Sequence, residues 1–138
     1  MGAYIYVSHD DLQSYERVGN APPFYGNAEN YVITIDMAGI LHIVAVEVPP
    51  VNSINYQCKL YYSYSFNDGY DWKYEDDNYV LHYSDGDIDD AKVHHVPSII
   101  CDPMGNLAIL YYTDDDKYKI LRSYDSGITW QAPVEIEF

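Results

Sequence analysis

Short apolar runs separated by turn-forming clusters recur along the whole chain, and none longer than a turn or two has helical 3.6-residue spacing. Tyr4, Ile5, Tyr6 and Val7 are all β-formers, which predicts a strand over residues 3–8. A short strand follows over 15–18. Residues 19–30 carry Gly19, Asn20, Pro22, Pro23, Gly26, Asn27 and Asn30, the chemistry of a loop. Residues 31–35 and 40–48 are strong strands, and the unbroken apolar run of the second predicts burial on both faces. Strands are further expected over 56–64, 72–74, 96–101, 106–112, 118–123 and 130–138. The Asp-rich stretch 76–92 is the longest irregular segment, with an extra strand expected over 79–83. The pattern is all-β with essentially no helix.

Two periodic signals organise these strands. Ser123-Tyr124-Asp125-Ser126-Gly127-Ile128-Thr129-Trp130 joins two strands through short side chains that can bond nearby backbone N–H groups, with Gly127 supplying a positive φ. Ser65-Phe66-Asn67-Asp68-Gly69-Tyr70-Asp71-Trp72 keeps Ser65, Gly69 and Trp72 and has Asn67 for the Asp. Ser8-His9-Asp10-Asp11-Leu12-Gln13-Ser14-Tyr15 keeps Ser8 and Asp10 but has Leu for Gly and Tyr for Trp. The three serines stand 57 and 58 residues apart, and a near-constant interval of that size signals repeat architecture. A second pair of landmarks, Asp36 with Gly39 and Asp102 with Gly105, repeats at 66 residues. The longer loop 49–55, against the shorter turn 113–117, absorbs the difference. The repeating unit is therefore strand, Asp–Gly turn, strand, variable loop, strand, Ser–Asp corner, strand. Four antiparallel strands per unit describe a propeller blade.

The octapeptide Ser-x-Asp-x-Gly-x-Thr-Trp resembles the Asp-box, or BNR repeat, of sialidase-like β-propellers. The third copy is a full match through Ser123, Asp125, Gly127, Thr129 and Trp130. The resemblance implies a partial β-propeller of about two and a half four-stranded antiparallel blades: a half blade over 1–19, a blade over 31–75 and a blade over 96–138. Such a segment is too short to close alone, which leaves a fragment of a longer propeller, an assembly of copies or an open wedge. The motif implies structure and not a reaction, since Asp-boxes also occur in glycan-binding, scaffold and sorting-receptor propellers.

Sialidase-like propellers bind ligand on the face opposite the Asp-boxes. That points to the loops 19–30, 49–55, 76–95 and 113–117, and to Tyr25, Tyr83, His95 and Tyr112 as candidate ligand-binding residues. Phe24 and Tyr79 belong to the same aromatic set, for which blade-to-blade packing is the competing reading. The family's hydrolytic chemistry needs an arginine triad around the substrate carboxylate, and bidentate arginine suits that clamp. This chain has Arg17 and Arg122 alone. The family's Phe-Arg-Ile-Pro element is met only by His94-His95-Val96-Pro97, with His95 in the arginine's place. The expected function is a non-catalytic module binding carbohydrate or a protein partner. The alternative is a piece of a sialidase-like glycoside hydrolase whose catalytic residues lie outside this chain.

Composition narrows the partners. The formal net charge is −15, which repels phosphate backbones and anionic lipid, so nucleic-acid and membrane partners are not expected. Clustered carboxylates suit cations instead. Asp85, Asp87 and Asp89 offer hard oxygen ligands for Ca²⁺, although EF-hand spacing is absent and a solvated acidic loop is the plainer reading. No other cofactor is indicated. Cys58 and Cys101 are expected on different blades as buried free thiols rather than a disulfide, which leaves the compartment open between secreted and cytoplasmic. The first residues show no basic leader and no apolar signal segment.

Overall fold

The computed structural model describes residues 4–20, 28–47, 60–72, 97–113 and 117–137. Nine strands fall in them: β1 (Tyr4–Val7), β2 (Glu16–Asn20), β3 (Ala28–Ile35), β4 (Leu41–Glu47), β5 (Leu60–Ser65), β6 (Ser98–Cys101), β7 (Leu107–Thr113), β8 (Lys117–Ser123) and β9 (Val134–Ile136). They form three antiparallel meanders, β1-β2, β3-β4-β5 and β6-β7-β8-β9. No helix occurs among the described residues. The all-β expectation holds.

The apolar run of β4 faces two neighbours at once. Val44 and Val46 join Leu60, Tyr62, Ile99, Leu107, Ile109, Tyr111 and Leu121 in a core between the second and third sheets. Ile43 and Ala45 turn the other way and pack with Tyr61, Ile5, Tyr31 and Trp72 against the first sheet. Successive strand side chains point to opposite faces, so a strand covered on both sides must be apolar throughout. Each fully buried aliphatic side chain contributes about 1.5–3 kcal/mol. The edge strands β3 and β6 touch at their ends, where the Cys101 thiol donates to the Ile35 carbonyl oxygen at 3.1 Å. Cys101 is free, as expected, but half-buried rather than buried, because β6 is an edge strand.

The Ser–Asp corners close one end of all three sheets. In the third corner the Ser123 hydroxyl donates to Asp125 Oδ1 at 2.8 Å and accepts the Gly127 N–H at 2.9 Å. Asp125 Oδ1 also accepts the Thr129 N–H at 2.8 Å. In the second corner Ser65, Asn67 and Gly69 repeat the scheme, with the Gly69 N–H on Ser65 Oγ at 2.9 Å and the Asp71 N–H on Asn67 Oδ1 at 2.9 Å. There the polarity across the turn is exchanged. The Asn67 amide donates to the Asp71 carboxylate at 2.8 Å, where Asp125 accepts from the Thr129 hydroxyl. The first corner, divergent in sequence, makes the same bonds: the Leu12 N–H on Ser8 Oγ at 3.0 Å and the Ser14 N–H on Asp10 Oδ1 at 2.9 Å. Leu12 accordingly holds φ 68°, where the other two corners have Gly69 and Gly127 at 88°. A non-glycine residue there costs about 1–2 kcal/mol.

The Asp–Gly turns repeat as closely. Asp36 Oδ1 accepts the Ala38 and Ile40 N–H groups, both at 2.9 Å, and Asp102 Oδ1 accepts those of Met104 and Asn106 at 2.8 and 2.9 Å. Because Leu41 pairs with Ser65 and Leu107 with Ser123, these turns share the corner end.

Strand boundaries differ from the expected ones in three places. β2 runs on to Asn20 and β3 begins at Ala28, so pairing extends into the stretch read as loop. The last strand is only Val134–Ile136, paired to β8 through Ile120, Lys119 and Tyr118. The Gln131 N–H is taken by the Arg122 carbonyl at 2.8 Å, and the Trp130 ring packs against the core instead of extending the strand. Trp72 is not in a strand, and the remainder of the strand expected after the second corner lies outside the described residues.

Candidate functional site

The loop end, opposite the corners, is where the sequence places ligand. Of the candidate residues there, Tyr112 is described. It lies on β7 directly across from Tyr118 on β8, with ring centroids 4.7 Å apart and planes tilted by 56°. Tyr112 is half-buried and Tyr118 is 39 % exposed, so the pair offers a partly open aromatic surface. Tyr25, Tyr83 and His95 lie outside the described residues, as do Asp85, Asp87 and Asp89. Among the described residues no cluster of His, Cys, Asp or Glu could hold a metal ion.

The two arginines are kept apart. Arg17 sits on β2 with its guanidinium 3.8 Å over the Tyr4 ring, a cation–π contact. Arg122 sits on β8, on the far side of the second sheet. It borders two adjoining grooves of about 260 and 300 Å³ on the outer face of the third sheet, the first also lined by Ile100, Asp102 and Ala108, the second by Ile120 and Val134. Tyr124 borders both. No carboxylate among the described residues pairs with Arg122.

The densest chemistry is one that the sequence analysis missed. Asp36, His42 and Tyr62 form a buried chain: His42 Nε2 lies 3.0 Å from Asp36 Oδ2, and His42 Nδ1 lies 2.8 Å from the Tyr62 hydroxyl. Each ring nitrogen of His42 thus has one hydrogen-bonding partner, the carboxylate at Nε2 and the phenol at Nδ1. Burial alone would raise the Asp36 pKa, but hydrogen bonds from His42 and from the Ile40 and Ala38 N–H groups outweigh it and hold the carboxyl below its ordinary value. His42 and Tyr62 are 0 % exposed. The Tyr62 ring lies edge-on to Trp130 at 5.0 Å, and its hydroxyl occupies the space a side chain at Gly127 would need. A nucleophile so enclosed reaches no substrate. The chain's physical effect is to tie the Asp36 turn and β5 to the third corner, whose Ser126 carbonyl lies 3.5 Å from the Tyr62 hydroxyl. The sequence signal was available as His42 six residues after Asp36 on a strand that is otherwise apolar up to its terminal Glu47. The tyrosine could not be singled out among the 17 in the chain.

The corner residues are placed as bonding networks. Asp10, Asp102 and Asp125 each have a lowered pKa, chiefly through a side-chain hydrogen bond, from Ser14, Asn106 and Thr129 respectively, reinforced by backbone N–H groups. Trp72 and Trp130 cover the corners on the core side. Their buried Nε1 atoms meet no acceptor among the described residues. Ring burial must therefore outweigh an unmade hydrogen bond costing about 1–3 kcal/mol.

No protein-family model matches the sequence, and no curated protein matches it either. Among solved structures the chain is similar to a point mutant of NanB sialidase from Streptococcus pneumoniae, at 17 % identity and a TM-score of 0.59. The likeness covers 97 % of this chain and 19 % of that one, so the chain spans about a fifth of the sialidase's length. With the antiparallel meanders and the shared corner end, this similarity makes the fold sialidase-like.

Proposed function

We propose that the chain is an Asp-box propeller segment without catalytic activity of its own, binding carbohydrate or a protein partner through the loops opposite the corners. Its units are a half blade over 1–19 and blades over 31–75 and 96–138. The observation that carries the reading is the division of labour between the two ends. Three corners with one hydrogen-bond scheme lock one end, and the Tyr112–Tyr118 pair lies at the other. Sugar rings stack on such aromatic faces. The arginines on separate sheets supply no carboxylate clamp, and the −15 charge argues against nucleic-acid and anionic-membrane partners.

The second reading, a portion of a sialidase-like glycoside hydrolase, is favoured by the similarity to a fifth of NanB. A glycan array separates the two, because a piece whose catalytic residues lie outside this chain is expected to retain no glycan by itself, and a fluorogenic sialoside assay tests the absence of activity that both readings expect. The binding reading expects at least one glycan retained, a loss of about tenfold or more in the Tyr112→Ala/Tyr118→Ala double variant with unchanged circular dichroism, and no hydrolysis. Turnover of the sialoside by the chain alone would overturn it. The acidic loop with Asp85, Asp87 and Asp89 is a proposed Ca²⁺ site, tested by calorimetric titration with CaCl₂ against the triple Asp→Asn variant.

A further inference from the structure

Each corner in the chain sits on the sheet before it, at one repeated position. The second corner presents Gly69 to Ile5 of β1, where an added Cβ would lie 3.4 Å from the Ile5 side chain. The third corner presents Gly127 to Tyr62 of β5. Ile5 and Tyr62 are equivalent in the repeat, 57 residues apart, and the next position in the series is Ile120 on β8. Among the described residues no corner seats on Ile120. It lies on an apolar sheet face with Ala108, Leu110 and Val134, the face that in the second sheet is the buried core of Val44, Val46, Leu60 and Tyr62. Here it is open: Ile100 is 64 % and Val134 51 % exposed, and the grooves of about 260 and 300 Å³ run across it.

The opposite end of the chain has the reverse deficit. Among the described residues no sheet precedes the first corner, and Leu12 and Tyr15, the equivalents of Gly127 and Trp130, are 69 % and 64 % exposed. Tyr4 and Tyr6, on the face of β1 turned away from the second sheet, are 54 % and 59 % exposed. The outer face has room beside Ile120 and carries a charge opposite to that of the first corner. Within the chain both seats, Ile5 and Tyr62, meet a glycine. At the open ends the seat, Ile120, flanked by a groove of about 300 Å³, would meet a larger corner residue, Leu12. Arg122, with no carboxylate partner among the described residues, would meet a corner bearing Asp10 and Asp11.

We propose that the chain associates head to tail with a second copy, the first corner of one seating on the outer β8–β9 face of the other around Ile120 and Arg122. Such an interface is heterologous, so each copy keeps one head and one tail and association continues to a ring or a filament. The test is the mass of the full chain by sedimentation or light scattering from micromolar to near-millimolar concentration. Wild type is expected to grow beyond a monomer with concentration. Leu12→Glu and Ile120→Glu are each expected to be monomeric, and an equimolar mixture of the two to give a species of two copies that grows no further. An interface pairing like with like would not recover on mixing. Should Ile120→Glu lose its β circular dichroism, the charge pair decides instead: Arg122→Glu weakens association and Asp11→Arg restores it in the double variant. A wild type monomeric throughout, as when another protein or further blades of a longer chain cover these faces, overturns the proposal, as does a mixture that stays monomeric.

Discussion

Gly127 is the residue at which sequence and structure press hardest on one another. Its φ of 88° already favours glycine, and an ideal Cβ there would lie 1.8 Å from the Tyr62 hydroxyl oxygen. Gly127→Ala therefore adds overpacking of about 1–3 kcal/mol to left-handed strain of about 1–2 kcal/mol. Chemical denaturation should show a loss of at least about 2 kcal/mol, whereas Gly39→Ala, with open space around the Cβ, should lose only the backbone part. Equal losses at the two positions would mean that Tyr62 yields easily. The conformational demand at position 127 was legible in the octapeptide. The steric demand was not, because it comes from a tyrosine 65 residues earlier on another sheet.

At the scale of elements, β4 and β5 are set by their neighbours. β4 was readable as doubly buried from its apolar run, and Ile43, Val44, Ala45 and Val46 are 0–2 % exposed. The same run conceals His42, whose imidazole survives in the interior only because both ring nitrogens are engaged. Tyr62→Phe would leave Nδ1 buried without its hydrogen-bonding partner. The expected cost is about 1–3 kcal/mol by urea unfolding, more than for an exposed tyrosine-to-phenylalanine change such as Tyr124→Phe. An unchanged midpoint would show that a water replaces the hydroxyl. The third sheet carries Ala108 and Ile120 at the corresponding positions, so the polar tie belongs to one interface and is not a property of the repeat. That asymmetry explains why a reading built on periodicity passed over it.

For the whole molecule, charge and the corner carboxylates set the pH range. Asp10, Asp36, Asp102 and Asp125 all have pKa values lowered from 3.8 in the folded chain. The unfolded chain thus takes up these protons first as pH falls. The stabilisation is complete above the ordinary carboxylate range and is lost as pH drops through the folded values. Thermal melts should hold steady from neutral pH to about pH 5 and fall below about pH 4, with Asp125→Asn flattening the fall. An acid transition as steep in the variant as in wild type would move the effect away from the third corner. At neutral pH the net charge of −15 makes the compact state repel itself, a repulsion that added salt screens.

Local chemistry determined most of this chain. Strand-forming runs, three corners and two Asp–Gly turns depend on residues within a few positions of one another, and hydrogen bonds of that range form wherever those residues occur. The first corner shows how strong that determination is, since its bonding pattern survives the loss of both Gly and Trp. Tertiary structure decided which side chains meet: His42 with Asp36 and Tyr62, Tyr62 with Gly127, and the unmet face around Ile120. Those pairings depend on which sheet lies alongside, and burial by a neighbour distant in sequence leaves no mark in local spacing.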